Sequence, residues 1–216
     1  MIVAATCVRL GFWQLDRLQG RREANATWQA RGSAPAVPIG DVAPAELAYR
    51  HVTVTGTYDP AHEWILSGRT TAEGDPGNHV LTPLELGDGT AVVVDRGWVP
   101  IDVTGVPVTG TAAAPCGRVT VTGVALPPDQ LTAPAISPAP SITTRVDLGR
   151  AGLPFRLLPV YLLLQPQIPP QQLPIPPPAP TFDNGPHLSY AIQWFAFATI
   201  AVVGCVVLLV RDRSRE

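Results

Sequence analysis

The sequence predicts a membrane protein in which two transmembrane helices flank an extracytoplasmic, mainly β domain of antiparallel barrel- or sandwich-like build with short helices. Three observations carry that prediction. Residues 188–210 form a run of 23 without a formal charge. The chain also opens on an apolar stretch, residues 1–8, continued by Leu10-Gly11-Phe12-Trp13 after Arg9. Between the two, short alternating runs follow one another with turn residues, not helix-length spacers, as their punctuation. The bulk numbers agree. A chain of 216 residues suits one domain of about 150 residues with attachments, and its 15% of charged residues falls below the roughly 25% of soluble proteins.

Taken in order, residues 1–18 are read as the first transmembrane helix. Eight apolar residues before Arg9 are too few for a hydrocarbon core of about 30 Å. The expectation is therefore the outer half of a helix whose inner half, about ten further apolar residues, precedes this sequence. Trp13 then marks the outer interface, and Arg9 snorkels or pairs inside the bundle. A cleaved signal peptide is disfavoured by the missing basic n-region and A-x-A site, and Ala4-Ala5-Thr6-Cys7 makes a poor lipobox.

Residues 19–165 are the expected β domain. A short polar helix is expected over 19–30. Strands follow over 49–58, 63–66, 79–86, 91–99, 118–124, 141–146 and 157–164, with Gly87-Asp88-Gly89 as a hairpin turn. Val52-Thr53-Val54-Thr55-Gly56 recurs at residues 119–123, which points to two equivalent strands, although a match of such common strand residues also arises by chance.

Residues 166–183 are a linker. Eight prolines occupy positions 166–180, a composition that favours extended polyproline II and a semi-rigid spacer. The second transmembrane helix spans 184–210. Its uncharged run covers about 34 Å at 1.5 Å per residue, Gly185 and Pro186 mark its start, and Tyr190 and Trp194 suit an interfacial belt. The tail 211–216 carries Arg211, Arg213 and Arg215. By the positive-inside rule the tail is cytoplasmic and His187 lies at the outer face of the plasma membrane.

Several chemistries are excluded. Net charge is −2, so no basic surface awaits a nucleic acid. All 15 basic residues are arginine, which removes Schiff-base lysines and a phosphate-loop lysine. Cys7, Cys116 and Cys205 form no C-x-x-C pattern, and the four histidines lack metal-site spacing. His51, Asp95 and Ser67 can be assembled into a triad on paper, but nothing in the sequence brings them together. The reading is of a protein without catalytic turnover.

Four motifs, in this order, resemble the Surfeit-locus-1 family. They are Gly11-Phe12-Trp13-Gln14-Leu15-Asp16-Arg17; the strand 49–58 with its Val-x-Val-x-Gly core; Gly77-Asn78-His79-Val80-Leu81-Thr82-Pro83 leading to Val94-Asp95-Arg96-Gly97-Trp98-Val99-Pro100; and His187-Leu188-Ser189-Tyr190-Ala191-Ile192-Gln193-Trp194-Phe195. Gly185-Pro186 departs from the asparagines of many relatives. The resemblance implies an assembly factor for haem-copper cytochrome c oxidase that helps deliver haem a to subunit I. Subunit I, haem a synthase and the lipid bilayer are the implied partners. The alternative is an accessory subunit stably bound to the oxidase, and an extracytoplasmic hydrolase is a third class.

His187 is the expected axial ligand, since a neutral imidazole at the membrane boundary can bind iron. Tyr190, Ala191 and Trp194 follow at i+3, i+4 and i+7 and share its helix face. Ala191 is expected to leave room for the macrocycle, with Trp13 closing the other side. Gln14, Arg17, Arg96, Gly97, Trp98 and Pro100 are the expected partner or structural motif residues. Their bland readings are a helix–helix hydrogen bond for Gln14, a strand bend at Gly97 and core filling for Trp98.

Overall fold

A computed structural model describes residues 2–129, 141–149, 153–166, 172–178 and 183–213. The chain divides into two compact units, one built from residues 1–29 and 181–216, the other from residues 30–180. Parts of the expected linker (167–171 and 179–182) and Arg215 of the expected tail lie outside the described residues.

The first unit is a helix pair. Helix α1 runs unbroken over Ile2–Gly32, so the polar stretch 19–30 continues the first helix and is not a separate element. Nothing in it breaks a helix: it has no proline, and Gln19–Glu23 and Thr27–Glu23 contacts at i,i+4 support it. Helix α2 spans His187–Arg213. Gly185 at φ +60 turns the chain into it. Pro186 stands just before the first helical residue, and its carbonyl accepts from Tyr190 N at 3.1 Å. The helices run antiparallel: Asn25 donates to Asn184 at 3.2 Å, while further down Phe12 meets Phe195 edge-to-face at 5.4 Å. Small residues permit the approach, with Ala4, Cys7, Gly11, Ala191 and Ala198 all buried. A Cβ at Gly11 would stand 2.7 Å from the Phe195 ring.

The second unit is one mixed sheet. Its strands are β1 (Val37–Pro38), β2 (His51–Tyr58), β3 (Trp64–Thr70), β4 (Pro76–Glu85), β5 (Thr90–Pro100), β6 (Arg118–Leu126), β7 (Ile142–Thr143) and β8 (Arg156–Leu164). The order is β1-β2-β6-β8-β5-β4-β3-β7, and a further β2–β4 pairing at Tyr58↔Leu84 returns the circuit to β2. The expected all-antiparallel pattern is corrected by three parallel pairs, β1–β2, β3–β7 and β5–β8. Strand β8 reaches β5 after the long connection from β6, so it is free to enter in the parallel sense. The expected strand 141–146 shrinks to Ile142–Thr143, while Val146 turns into the core.

The two Val-Thr-Val-Thr-Gly segments pair directly with each other, Val54 opposite Val121. Their valines point inward, and their threonines form an outer ladder with Thr55 and Thr120 hydroxyls 2.8 Å apart. That exposed face explains the clean alternation of β2 and β6. In β5, by contrast, Val92 and Val94 enter one core cluster with Val54 and Leu162, while Val93 enters a second with Trp64 and Leu81. Covered on both faces, the strand reads as a continuous apolar run.

Candidate functional site

His187 is the first residue of α2, and its Nδ1 lies 2.9 Å from Oε1 of Gln14 on α1. An amide oxygen only accepts, so Nδ1 carries the proton and donates. In the neutral ring the lone pair then sits on Nε2. Beside it sits Gly185: a Cβ there would come within 3.5 Å of Nε2, so the bare glycine leaves that nitrogen approachable. His187 is half-buried. A neutral imidazole so oriented could offer Nε2 to a haem iron, so this one donor is compatible with the group.

The aromatic residues around it are placed unevenly. Trp13 is 50% exposed and carries the Arg17 guanidinium 5.7 Å over its ring, so Arg17 is occupied locally by a cation–π contact. Tyr190 is 47% exposed, and the half-buried Trp194 packs edge-to-face on Phe197 at 6.0 Å. The expectation that Ala191 leaves room for a macrocycle is corrected. Ala191 is buried, because a small residue at i+4 from His187 is spent on close helix packing.

The second constellation lies in the β unit, at the Asp95-Arg96-Gly97-Trp98 sequence. Val80 pairs with Gly97 and Leu81 with Asp95, which leaves Arg96 as the extra residue of a β-bulge. The bulge sends consecutive polar side chains into separate buried networks. Asp95 meets His79 at 2.9 Å. Arg96 meets Glu63 at 3.0 Å, with the two side chains 2% and 0% exposed. Glu63 also accepts from Thr82 Oγ1 at 2.6 Å and Val108 N at 2.7 Å, and Arg96 donates to Ala112 and Ala113 carbonyls at 2.8 and 2.7 Å. Asn78 donates to Ile101 and Val103 carbonyls. Together Glu63, Asn78 and Arg96 pin the 101–117 loop to the sheet. Burial lowers the Arg96 pKa while Glu63 and the Tyr58 ring support the charge, and burial pushes the Tyr58 phenol up to about 12.

Gly97 has φ +118, and a Cβ there would collide with the carbonyl of Ile175. That close approach is a strand-like bridge: Trp98 N donates to Ile175 O at 2.7 Å and Ile175 N to Trp98 O at 2.9 Å. Pro174 and Pro177 are buried, and Leu173 packs on the cluster of Ile65, Val80 and Val99. The expected free spacer is thus corrected over 173–177, where the proline-rich segment is a strap docked on β5. Pro100 ends β5 opposite Gly77.

Sequence reasoning missed Glu63 and the His79–Asp95 pair. The paper triad is dispersed: His51 contacts Gln165 at 2.8 Å, Ser67 donates to the Thr143 carbonyl, and Asp95 belongs to His79.

With this geometry in hand, a family model described as the SURF1 family matches residues 1–199. The chain belongs to the SURF1 family. A SURF1-like protein of Monosiga brevicollis is 28% identical over 96% of this chain and 85% of its own length. An uncharacterised SURF1-like protein of Mycobacterium tuberculosis is 28% identical over 94% of this chain and 79% of its own. A SURF1-like protein of Rickettsia felis is 31% identical, but the match spans 45% of this chain and 43% of that relative's length. One helix of this family member, His187–Val207, is long and apolar enough to cross a membrane among the described residues. Helix α1 carries Arg9, Asp16, Arg17, Arg21, Arg22 and Glu23 within its length.

Proposed function

We propose that the protein assists assembly of cytochrome c oxidase, holding haem a transiently through His187 before its delivery to subunit I. The carrying observation is the Gln14–His187 hydrogen bond, which engages Nδ1 and so, in the neutral ring, turns the lone pair to Nε2 beside Gly185. Family membership supports the assembly role. The candidate membrane helix supports a membrane-associated protein, and we read α1 as a second span with the β unit on the extracytoplasmic side. In this reading the protein is a carrier and not an enzyme. Haem, when bound, would supply an iron able to take a nitrogen ligand. His187 supplies one nitrogen, Gln14 holds the ring in the right tautomer, and Trp13, Tyr190 and Trp194 offer aromatic surface at that end of the helix pair.

The test is purification from cells that make haem a, followed by Soret absorbance. His187→Ala is expected to lose the bound haem. Gln14→Leu is expected to weaken it by about tenfold or more, the usual cost of losing an outer-shell partner of a metal-binding histidine. Unchanged occupancy in a well-folded His187→Ala protein would remove His187 from the site. Deletion is expected to leave oxidase protein present but poor in haem, whereas stoichiometric co-purification with active oxidase would make the protein an accessory subunit instead.

A further inference from the structure

The haem reading makes no use of a polar cleft in the β unit. Its volume is about 320 Å³, at the small end of the range for ligand pockets. Strands β3, β4, β5 and β8 supply most of the lining, and strap residues Pro177 and Pro178 form one wall. His79 and Asp95 line it, and their contact fixes the roles of their atoms. Asp95 accepts from His79 Nδ1 through Oδ2 and from Gly97 N through Oδ1, at 2.9 and 3.1 Å. Both carboxylate oxygens are thus engaged, and His79 Nε2 is the ring nitrogen left for a ligand.

Arg69 enters the cleft where β3 shifts register between Ser67 and Arg69, a bulge of the kind that re-aims a side chain. Its Nε is buried and has no hydrogen-bond partner among the described residues. A buried, charged donor left unmade is costly, so the site asks for an acceptor. Tyr161 completes the polar lining. Burial holds its phenol in the neutral, donating form, Asp95 and Asp129 act in the same direction, and Arg69 opposes them.

We propose that this cleft binds a small monocarboxylate, gripped by Arg69 and hydrogen-bonded by Tyr161. The planar guanidinium matches a carboxylate with two parallel hydrogen bonds. Arg69 is the one guanidinium among the cleft's described lining residues, so a ligand of single negative charge matches it. Asp129, the other acidic group that acts on Tyr161, is occupied by Val146 N at 2.9 Å. A dianion such as phosphate would exceed the positive charge available. Leu66, Leu163 and the two prolines give the hydrocarbon body of the ligand apolar walls.

The experiment titrates the full chain in detergent with butyrate, benzoate and inorganic phosphate by calorimetry, against chloride at matched ionic strength. At least one carboxylate is expected to bind saturably. Arg69→Gln is expected to weaken it at least about tenfold, the scale of one lost hydrogen bond to a charged group. Tyr161→Phe, which keeps the ring, is expected to weaken it by a smaller factor and serves if Arg69→Gln does not fold. Absence of saturable carboxylate binding, binding that survives in both folded variants, or a preference for phosphate would each overturn the proposal. All its residues lie in the β unit, so loss of the haem reading leaves it standing, and the converse holds.

Discussion

Replacing Arg96 by Met should unfold the β unit at a much lower temperature, although no surface is altered. The Glu63–Arg96 pair is all but inaccessible, with side chains 0% and 2% exposed. Removal of the guanidinium strands a buried carboxylate and frees the carbonyls of Ala112 and Ala113. Breaking one partner of a buried ion pair costs about 3–5 kcal/mol. For a domain of this size each kcal/mol lowers Tm by about 2–4 °C, so a fall of about 6–20 °C is expected. Glu63→Gln should cost a similar amount, because its amide cannot accept from Arg96, Thr82 and Val108 N at once. The double variant should cost less than the sum, by about 1–3 kcal/mol, since each single change already removes the shared contact. The assay is thermal unfolding followed by near-ultraviolet circular dichroism on the purified full chain. A Tm shift under about 2 °C for Arg96→Met, or strict additivity in the double variant, would refute the reasoning.

Two further outcomes are expected. Protease added to intact spheroplasts should digest the β unit and spare a C-terminal tag, if the positive-inside rule applied to Arg211 and its basic neighbours sets the orientation; loss of the tag with survival of the β unit would reverse the orientation. Stability should also decline in alkali. Burial raises the folded Tyr58 phenol from 10.0 to about 12, so its contribution is complete below pH 10 and is lost as pH rises through 12, about 3 kcal/mol in all. Denaturant midpoints between pH 9 and 12 should fall less steeply for Tyr58→Phe, and parallel curves would exclude Tyr58 as the cause.

Period and composition were enough to read the candidate membrane helix, seven strands of the β unit and the histidine at the head of α2. These are local properties: a charge-free run spans a fixed length, alternation follows strand geometry, and a titratable residue at a membrane boundary stands out by contrast. The Gln14–His187 bond was half legible, since a glutamine directly after the apolar opening of α1 implies a partner but not which one. The rest depended on which distant strands meet. Arg96 was legible as a partner or structural motif residue, but only the bulge against Val80 and Leu81 turns it toward Glu63, 33 residues earlier in the chain. The proline-rich segment looked like a spacer because composition reports stiffness and not docking, and only the bare Cα of Gly97 lets Ile175 reach β5. The parallel entry of β8 beside β5 likewise has no local signal. Sequence alone determined which segments could be helix or strand, since those preferences reside in each residue and its near neighbours. Tertiary structure alone decided which buried polar groups find each other, because a hydrogen bond is made between atoms in space, and strand register sets that distance.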